Sequence, residues 1–123
     1  MTGKRALFDS NIVIYLAKRE MPLSILDQFD DICISVITYM EILGFSFSTR
    51  EEERYIRDLI SLFTIIYVDQ KIADIVVDIR KNKRIKLPDA IISATAISLD
   101  LQFVTRNIAD FDNINVKILN PFE

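Results

Sequence analysis

The spacing of hydrophobic residues along the chain predicts strands and helices in alternation. Apolar runs rich in β-branched or aromatic residues predict five strands: Arg5–Phe8, Asp31–Ser35, Thr64–Val68, Gln102–Thr105 and Val116–Leu119. Apolar residues three and four apart predict the helices between them: Ser10–Lys18, Leu23–Phe29, Val36–Phe47, Thr49–Phe63, Asp69–Arg84, Leu87–Leu99 and a helical turn at Asn107–Phe111. This alternation predicts an α/β fold of three layers, with a mainly parallel central sheet of about five strands flanked by helices.

Several helix starts carry recognisable capping residues. Thr38 and Glu41 have the spacing of a capping box, and Thr49 with Glu52 repeats it. Asp69 precedes a helical pattern as an N-cap residue would, and Pro88 occupies a first-turn position that proline tolerates. These signals support the helical boundaries that the periodicity predicts.

Length and composition indicate a single domain over residues 1–123. Half of the residues are hydrophobic, which is enough for a core, and no repeat, linker or low-complexity tract interrupts the pattern. No apolar run approaches the roughly 18 residues of a membrane span, and no signal peptide is visible. The single cysteine, Cys33, lies in an apolar run and can form no disulfide within the chain, which fits a reducing compartment. We therefore expect a cytoplasmic protein that does not contact a membrane.

The chain contains no histidine, and this narrows the possible chemistry. It excludes Ser-His-Asp and Cys-His nucleophile systems, as well as paired-histidine acid–base catalysis. One cysteine without histidine also makes a typical zinc site improbable. Any hydrolytic reaction would therefore depend on carboxylates and a hard, oxygen-binding cation.

Acidic residues follow or face the ends of several predicted strands. Asp9 ends the first strand, Asp110 lies in the segment after the fourth, Asp89 begins a helix, and Glu41 lies on the helix after the second strand. If the strands are parallel neighbours, these acids meet at the carboxyl edge of the sheet, where ligands bind in open α/β folds. Crowded carboxylates repel one another, and a divalent cation usually stabilises them.

Each acid also has an ordinary structural explanation. Asp9 can cap the helix that follows it, and Asp89 suits the positive end of a helix dipole. Glu41 can be the return half of a capping box, and Asp110 can be a solvated turn residue. The spacing of the acids alone does not choose between these explanations and a metal site.

Four segments, in order along essentially the whole chain, resemble the PIN-domain family and, within it, the VapC-type toxins of toxin–antitoxin pairs. They are residues 7–12 (LFDSNI), 35–44 (SVITYMEILG), 87–96 (LPDAIISATA) and 103–111 (FVTRNIADF). Any one of these segments would be a weak signal, whereas the four together are a strong one. The resemblance implies a PIN-like fold and an endoribonuclease that depends on Mg²⁺ or Mn²⁺ and leaves a 5′-phosphate and a 3′-hydroxyl.

The resemblance also assigns roles to residues. Asp9 and Asp89 would bind the metal directly, and Glu41 directly or through water. Many members carry Asp where this chain has Asn107, so Asn107 or Asp110 would complete the catalytic set. Asn11 and Thr105 would orient the carboxylates by hydrogen bonds.

Positive charge is concentrated in a few places although the net charge is −3. A basic run precedes Asp89 and consists of Arg80, Lys81, Lys83, Arg84 and Lys86. With Arg106, these side chains are candidate contacts to RNA phosphates. The alternative, a solvated helix end favoured by the helix dipole, has equal standing at this point.

The resemblance implies two partners besides the RNA substrate: a small antitoxin protein and a second copy of the chain in a homodimer. Other functions remain open. A catalytically silent PIN-like binding module would retain the fold, and Asn107 keeps that alternative in consideration. Phosphatases with an Asp nucleophile and phosphorylatable receiver domains are less consistent, because no second acid accompanies Asp9.

Overall fold

A computed structural model describes residues 4–44 and 46–122 and has a five-stranded, fully parallel sheet at its centre. The strands are β1 (Arg5–Phe8), β2 (Asp31–Ser35), β3 (Thr64–Ile66), β4 (Gln102–Val104) and β5 (Ile118–Leu119), in the spatial order β3-β2-β1-β4-β5. The α-helices are α1 (Ser10–Ala17), α2 (Val36–Leu43), α3 (Arg50–Ile60), α4 (Gln70–Asn82) and α5 (Leu87–Ser98). The predicted fold class is therefore confirmed.

The two faces of the sheet bury alternate residues of β1, as the two-residue period of a strand requires. Ala6 and Phe8 pack with α1 and α3 on one face. Leu7 packs on the other face with α5 and with Phe103 and Phe111. Both faces are covered, so the buried middle of each central strand is apolar, as is usual for parallel sheets.

Several predicted elements end earlier in the structure. The helix predicted to reach Phe47 ends at Leu43, with Gly44 as its C-cap, and Thr49 caps the next helix by accepting a hydrogen bond from the Glu52 N–H at 3.0 Å. Glycine and serine are poor helix formers, so residues 46–49 form a connection instead. Phe45, inside the predicted helix, lies outside the described residues.

Other elements differ from their predictions only in length or type. β3 stops at Ile66 because no neighbouring strand continues the register beyond that residue. β5 begins two residues later than predicted and pairs with β4 through Ile118 and Leu119. The segment predicted as a helix from Leu23 forms a 3₁₀ helix over Leu23–Gln28. Among the described residues, no helix is long and apolar enough to span a membrane.

The strand order places β1 and β4 side by side at the centre of the sheet. Phe8 pairs with Val104, and the Asp9 N–H donates to the Val104 carbonyl oxygen at 3.2 Å. The residues that follow these strands, Asp9 and Thr105, therefore emerge together at the carboxyl edge.

Candidate metal centre

Asp9 is buried at the carboxyl edge, and both of its carboxylate oxygens accept hydrogen bonds. One oxygen accepts from the Ile12 backbone N–H at 2.9 Å, so Asp9 is the N-cap of α1. The other accepts from the Thr105 hydroxyl at 2.5 Å. Asp9 therefore has two roles at once, because one oxygen caps α1 and the other faces the carboxyl edge of the sheet. Each oxygen keeps a further lone pair for a cation.

Burial raises the pKa of the Asp9 carboxyl. Hydrogen bonds from Thr105 and Ile12 lower the pKa, and the negative charge of Asp89 raises it. The Thr105 hydroxyl also accepts from the Asn107 backbone N–H at 3.0 Å. Thr105 thus holds both Asp9 and the start of the following loop, which agrees with its expected orienting role.

Glu41 is held by α1 and does not return to the start of its own helix. Its carboxylate accepts from the Ser10 hydroxyl at 2.6 Å, and the Ser10 and Thr38 hydroxyls are 2.9 Å apart. The capping box predicted for Thr38 and Glu41 is wrong, because Ser35 caps α2 by accepting from the Ile37 N–H at 3.1 Å. Thr38 and Glu41 lie on the side of α2 that faces α1, so their side chains are available to the edge of the sheet.

Asp89 lies in the first turn of α5 and is half-buried. Burial raises the pKa of its carboxyl, and the negative charges of Asp110 and Glu41 raise it further, whereas Lys86 lowers it. Asp9 also senses the charge of Asp89. The charge of Asp89 thus interacts with the charges of Asp9, Glu41 and Asp110. These four acids, from distant parts of the chain, share one electrostatic neighbourhood.

The loop after β4 brings Asn107 and Asp110 together. The Asn107 side-chain amide donates a short hydrogen bond to the Asp110 carboxylate, and both residues are exposed at a 3₁₀ helix over Ile108–Phe111. Asn107 therefore orients an acid, and Asp110 provides the charge that Asn107 lacks.

The arrangement differs from the expectation for Asn11. Its side chain is exposed, and its backbone N–H, at the start of α1, lowers the pKa of Asp9 less than the hydrogen bonds from Thr105 and Ile12 do. Orientation of Asp9 thus comes from Thr105 and from the helix N-terminus.

The acids are near one another but are not yet a closed ligand set. Within residues 4–44 and 46–122, no group of three or more acidic or cysteine side chains is arranged to hold a metal ion as it stands. The donor set nevertheless fits Mg²⁺ or Mn²⁺, since these cations prefer carboxylate oxygens. Cys33 is buried on the sheet and offers nothing to this edge.

The basic run lies beside Asp89. α4 ends at Asn82, and the connection to α5 shares an open groove with Asp89 and Asp110; the groove's basic side chains are Arg80, Lys83, Arg84 and Lys86. Lys81 lines an adjacent groove together with other residues of the basic run. Four of the five basic side chains therefore adjoin the acids.

Arg106 points to a different place from the basic run. Its guanidinium donates to the Tyr15 hydroxyl at 3.3 Å and stacks on the Phe122 ring, 4.5 Å from the centroid. Tyr15 belongs to α1, on the opposite face of the sheet from α5. Arg106 and the basic run thus flank the acids from two sides.

Sequence reasoning did not assign three of these contacts. Ser10, which holds Glu41, was part of a recognised segment but had no role of its own. Tyr15 lies on the apolar face of the predicted first helix, and Phe122 had no predicted role. Only tertiary contacts reveal these roles, since the partners are up to 91 residues apart.

The raised pKa values of Asp9 and Asp89 predict how stability depends on pH without metal. Their pKa values in the folded state exceed the ~3.9 of an unfolded chain. The folded state therefore binds more protons, and stability falls as the pH rises from about 4 through the folded-state values. Thermal unfolding in EDTA is expected to show Tm falling over this range.

The variant Asp89→Asn provides the control for this pH dependence. It removes one ionising group and the repulsion from Asp110 and Glu41. We expect a shallower pH dependence and a higher Tm at neutral pH. If Tm depended on pH as in the parent protein, repulsion from Asp110 and Glu41 would not destabilise the folded state at Asp89.

The family model for the PIN domain matches residues 6–117. A toxin–antitoxin complex from Klebsiella pneumoniae contains a chain 36% identical, with a TM-score of 0.78, covering 96% of this chain and 98% of that one. DNA-bound VapBC from Salmonella typhimurium gives 26% identity and a TM-score of 0.77, covering 94% and 96%.

A third solved structure, FitAcB from Neisseria gonorrhoeae, gives 26% identity and a TM-score of 0.78, covering 96% of this chain and 99% of that one. Comparison with curated protein sequences gives no match. The resemblance to the PIN family and to the proteins of VapBC-type complexes is therefore confirmed. Such toxins are generally nucleases, and PIN nucleases typically use divalent metals.

Proposed function

Because this chain belongs to the PIN domain family, we propose that it is a metal-dependent endoribonuclease and the toxin of a VapBC-type toxin–antitoxin pair. One observation carries the proposal: Asp9, Glu41, Asp89 and Asp110, from four separate segments, share one electrostatic neighbourhood at the carboxyl edge of the sheet. Asp9 and Asp89 have raised pKa values there, and a bound cation usually stabilises carboxylates that are crowded in this way.

Asp9, Asp89 and Glu41 would hold Mg²⁺ or Mn²⁺. When bound, the cation supplies an activated water and stabilises negative charge that develops on the phosphate. Thr105 fixes the rotamer of Asp9, and Ser10 fixes that of Glu41. Asn107 orients Asp110 at the open side of the site.

The basic run supports RNA as the substrate. Lys86 already lowers the pKa of Asp89, and Lys83 and Arg84 line the same groove. We assign these side chains, with Arg80 and Lys81, to the phosphates of RNA that approaches the acids. Their positive charge offsets the repulsion that an acidic site would otherwise exert on a polyanion.

An antitoxin partner agrees with the similarity to chains solved in toxin–antitoxin complexes. An apolar groove between α1, α2 and α3 is open at the surface and is lined by Ile14, Ala17, Ile42, Phe47 and Ile56. Exposed apolar side chains such as Met40, Leu62 and Tyr67 add surface that a second copy of the chain would cover in a homodimer. The cytoplasmic location expected from the sequence stays a prediction.

The test is cleavage of a mixed-sequence RNA by protein purified free of any antitoxin. We expect cleavage in Mn²⁺ or Mg²⁺, none in EDTA, and products that carry a 5′-phosphate and a 3′-hydroxyl. Calorimetric titration with Mn²⁺ separates the alternatives. Intact RNA without Mn²⁺ binding would favour the catalytically silent module, whereas intact RNA with Mn²⁺ binding that requires Asp89 would mean that another RNA is the substrate.

A further inference from the structure

The surface beyond Thr105, on the side of the acids away from the basic run, carries a cluster of one cation and two aromatic rings. Arg106 lies over Phe122 at 4.5 Å and over Tyr15 at 5.7 Å from the ring centroids. The two rings meet edge to face, with centroids 5.1 Å apart. We call Arg106, Tyr15 and Phe122 the stacking cluster.

The stacking cluster is accessible at the surface. Arg106 is exposed, and Phe122 retains 40% of its surface exposed to solvent. Among the described residues, no carboxylate forms an ion pair with Arg106. A large aromatic ring that is only partly covered, beside an exposed guanidinium, presents both an apolar surface and a positive charge to the solvent.

The chain holds the stacking cluster close to the acids. Arg106 directly follows Thr105, whose hydroxyl bonds Asp9. Tyr15 is six residues after Asp9 on α1, which is about 9 Å along the helix axis. Phe122 follows the carboxyl end of β5, and its N–H donates to the Asn120 side-chain oxygen at 2.9 Å, which fixes the turn before the ring.

Nucleobases are the natural ligands of such a surface. Unpaired bases stack on aromatic rings and on arginine guanidinium planes, whereas the bases of an A-form duplex are already stacked and face inward. The basic run lines a groove with Asp89 and Asp110 on the α4–α5 side, and Tyr15 of the stacking cluster lies on α1, so a strand held by both surfaces would pass the acids.

We propose that Arg106, Tyr15 and Phe122 form a stacking site for an unpaired nucleobase of the RNA substrate. This inference rests on the proposed nuclease function for its biological meaning. The stacking site itself is a property of binding and is testable without cleavage.

The test measures binding of a fluorescein-labelled, mixed-sequence, single-stranded RNA 12-mer in EDTA by anisotropy. Phe122→Leu retains apolar bulk and removes the aromatic face. We expect it to weaken binding by about tenfold, the effect of one lost base–aromatic stack. Tyr55→Leu is the matched control, since Arg19 lies over the Tyr55 ring on α3 at 4.9 Å from the centroid, and this variant should bind RNA like the parent protein.

A strand of equal length with abasic sites separates stacking from contact with the backbone. Phe122→Leu should bind the abasic strand as well as the parent protein does. An equal loss on both strands, or no loss on either, would overturn the stacking site.

Where cleavage occurs, the same variant should raise KM for the single strand and leave kcat nearly unchanged. Absence of metal-dependent cleavage would count against the proposed nuclease, while the binding result would still decide the stacking site.

Discussion

Asp89→Asn is expected to lower RNA cleavage by about a thousandfold, which corresponds to ~4 kcal/mol in the activation free energy. The substitution keeps the size and the helix-start position of Asp89 but removes the charge that faces Asp9, Glu41 and Asp110. A site that relies on carboxylates to hold a cation loses both affinity and catalytic power in that case. Initial rates at saturating Mn²⁺ measure the effect.

The control for this variant is Asp78→Asn. Asp78 is an exposed acid on α4, and the structure gives it no part in the carboxyl edge. Its cleavage rate should stay within about twofold of the parent rate. Since Asp89→Asn should raise Tm without metal, a loss of cleavage cannot be attributed to unfolding. Cleavage that survives in Asp89→Asn would remove Asp89 from the metal centre.

Thr105→Val is expected to weaken Mn²⁺ binding by about 10- to 100-fold, the usual effect of losing a group that orients a metal ligand. Valine has nearly the shape of threonine, so packing at this fully buried position is kept. What is lost is the donor to Asp9 and the acceptor for the Asn107 N–H. Calorimetric titration with Mn²⁺ measures the change in affinity.

Thr105→Ser restores the hydroxyl and provides the matched control. It should recover most of the Mn²⁺ affinity, because the serine hydroxyl can donate to the same Asp9 oxygen. Thr105→Val should also lower the free energy of unfolding by about 1–3 kcal/mol, since it leaves a buried acceptor without its donor. Equal affinities for the serine and valine variants would show that the hydroxyl does not orient Asp9.

Similarity in fold and the geometry of the site support one another. Asp9 and Thr105 follow neighbouring central strands, so their closeness comes from the topology. Glu41 and Asp89 reach the same edge from two different helices. A relative that shares 36% of its residues over nearly the whole chain shares this framework as well. The chemistry proposed here therefore depends on side chains that the framework places, and each of them is testable singly.

The sequence by itself determined the order and type of the elements. The apolar runs of β1 and β2 and the N-caps Thr49 and Asp69 act within a few residues, so local spacing is enough to predict them. It also determined which acids are candidates, because the absence of histidine left carboxylates as the groups available for hydrolysis.

Only the tertiary structure decided which side chains touch. Thr38 and Glu41 have capping-box spacing, yet their partner is Ser10 on α1, because the contact between α1 and α2 offers a hydroxyl that local spacing does not reveal. Arg106 is a candidate phosphate contact from the sequence, and only the structure shows that its guanidinium lies over rings from both ends of the chain. Such pairings depend on strand order and helix packing, which bring together residues remote in sequence and lie beyond the reach of any local pattern.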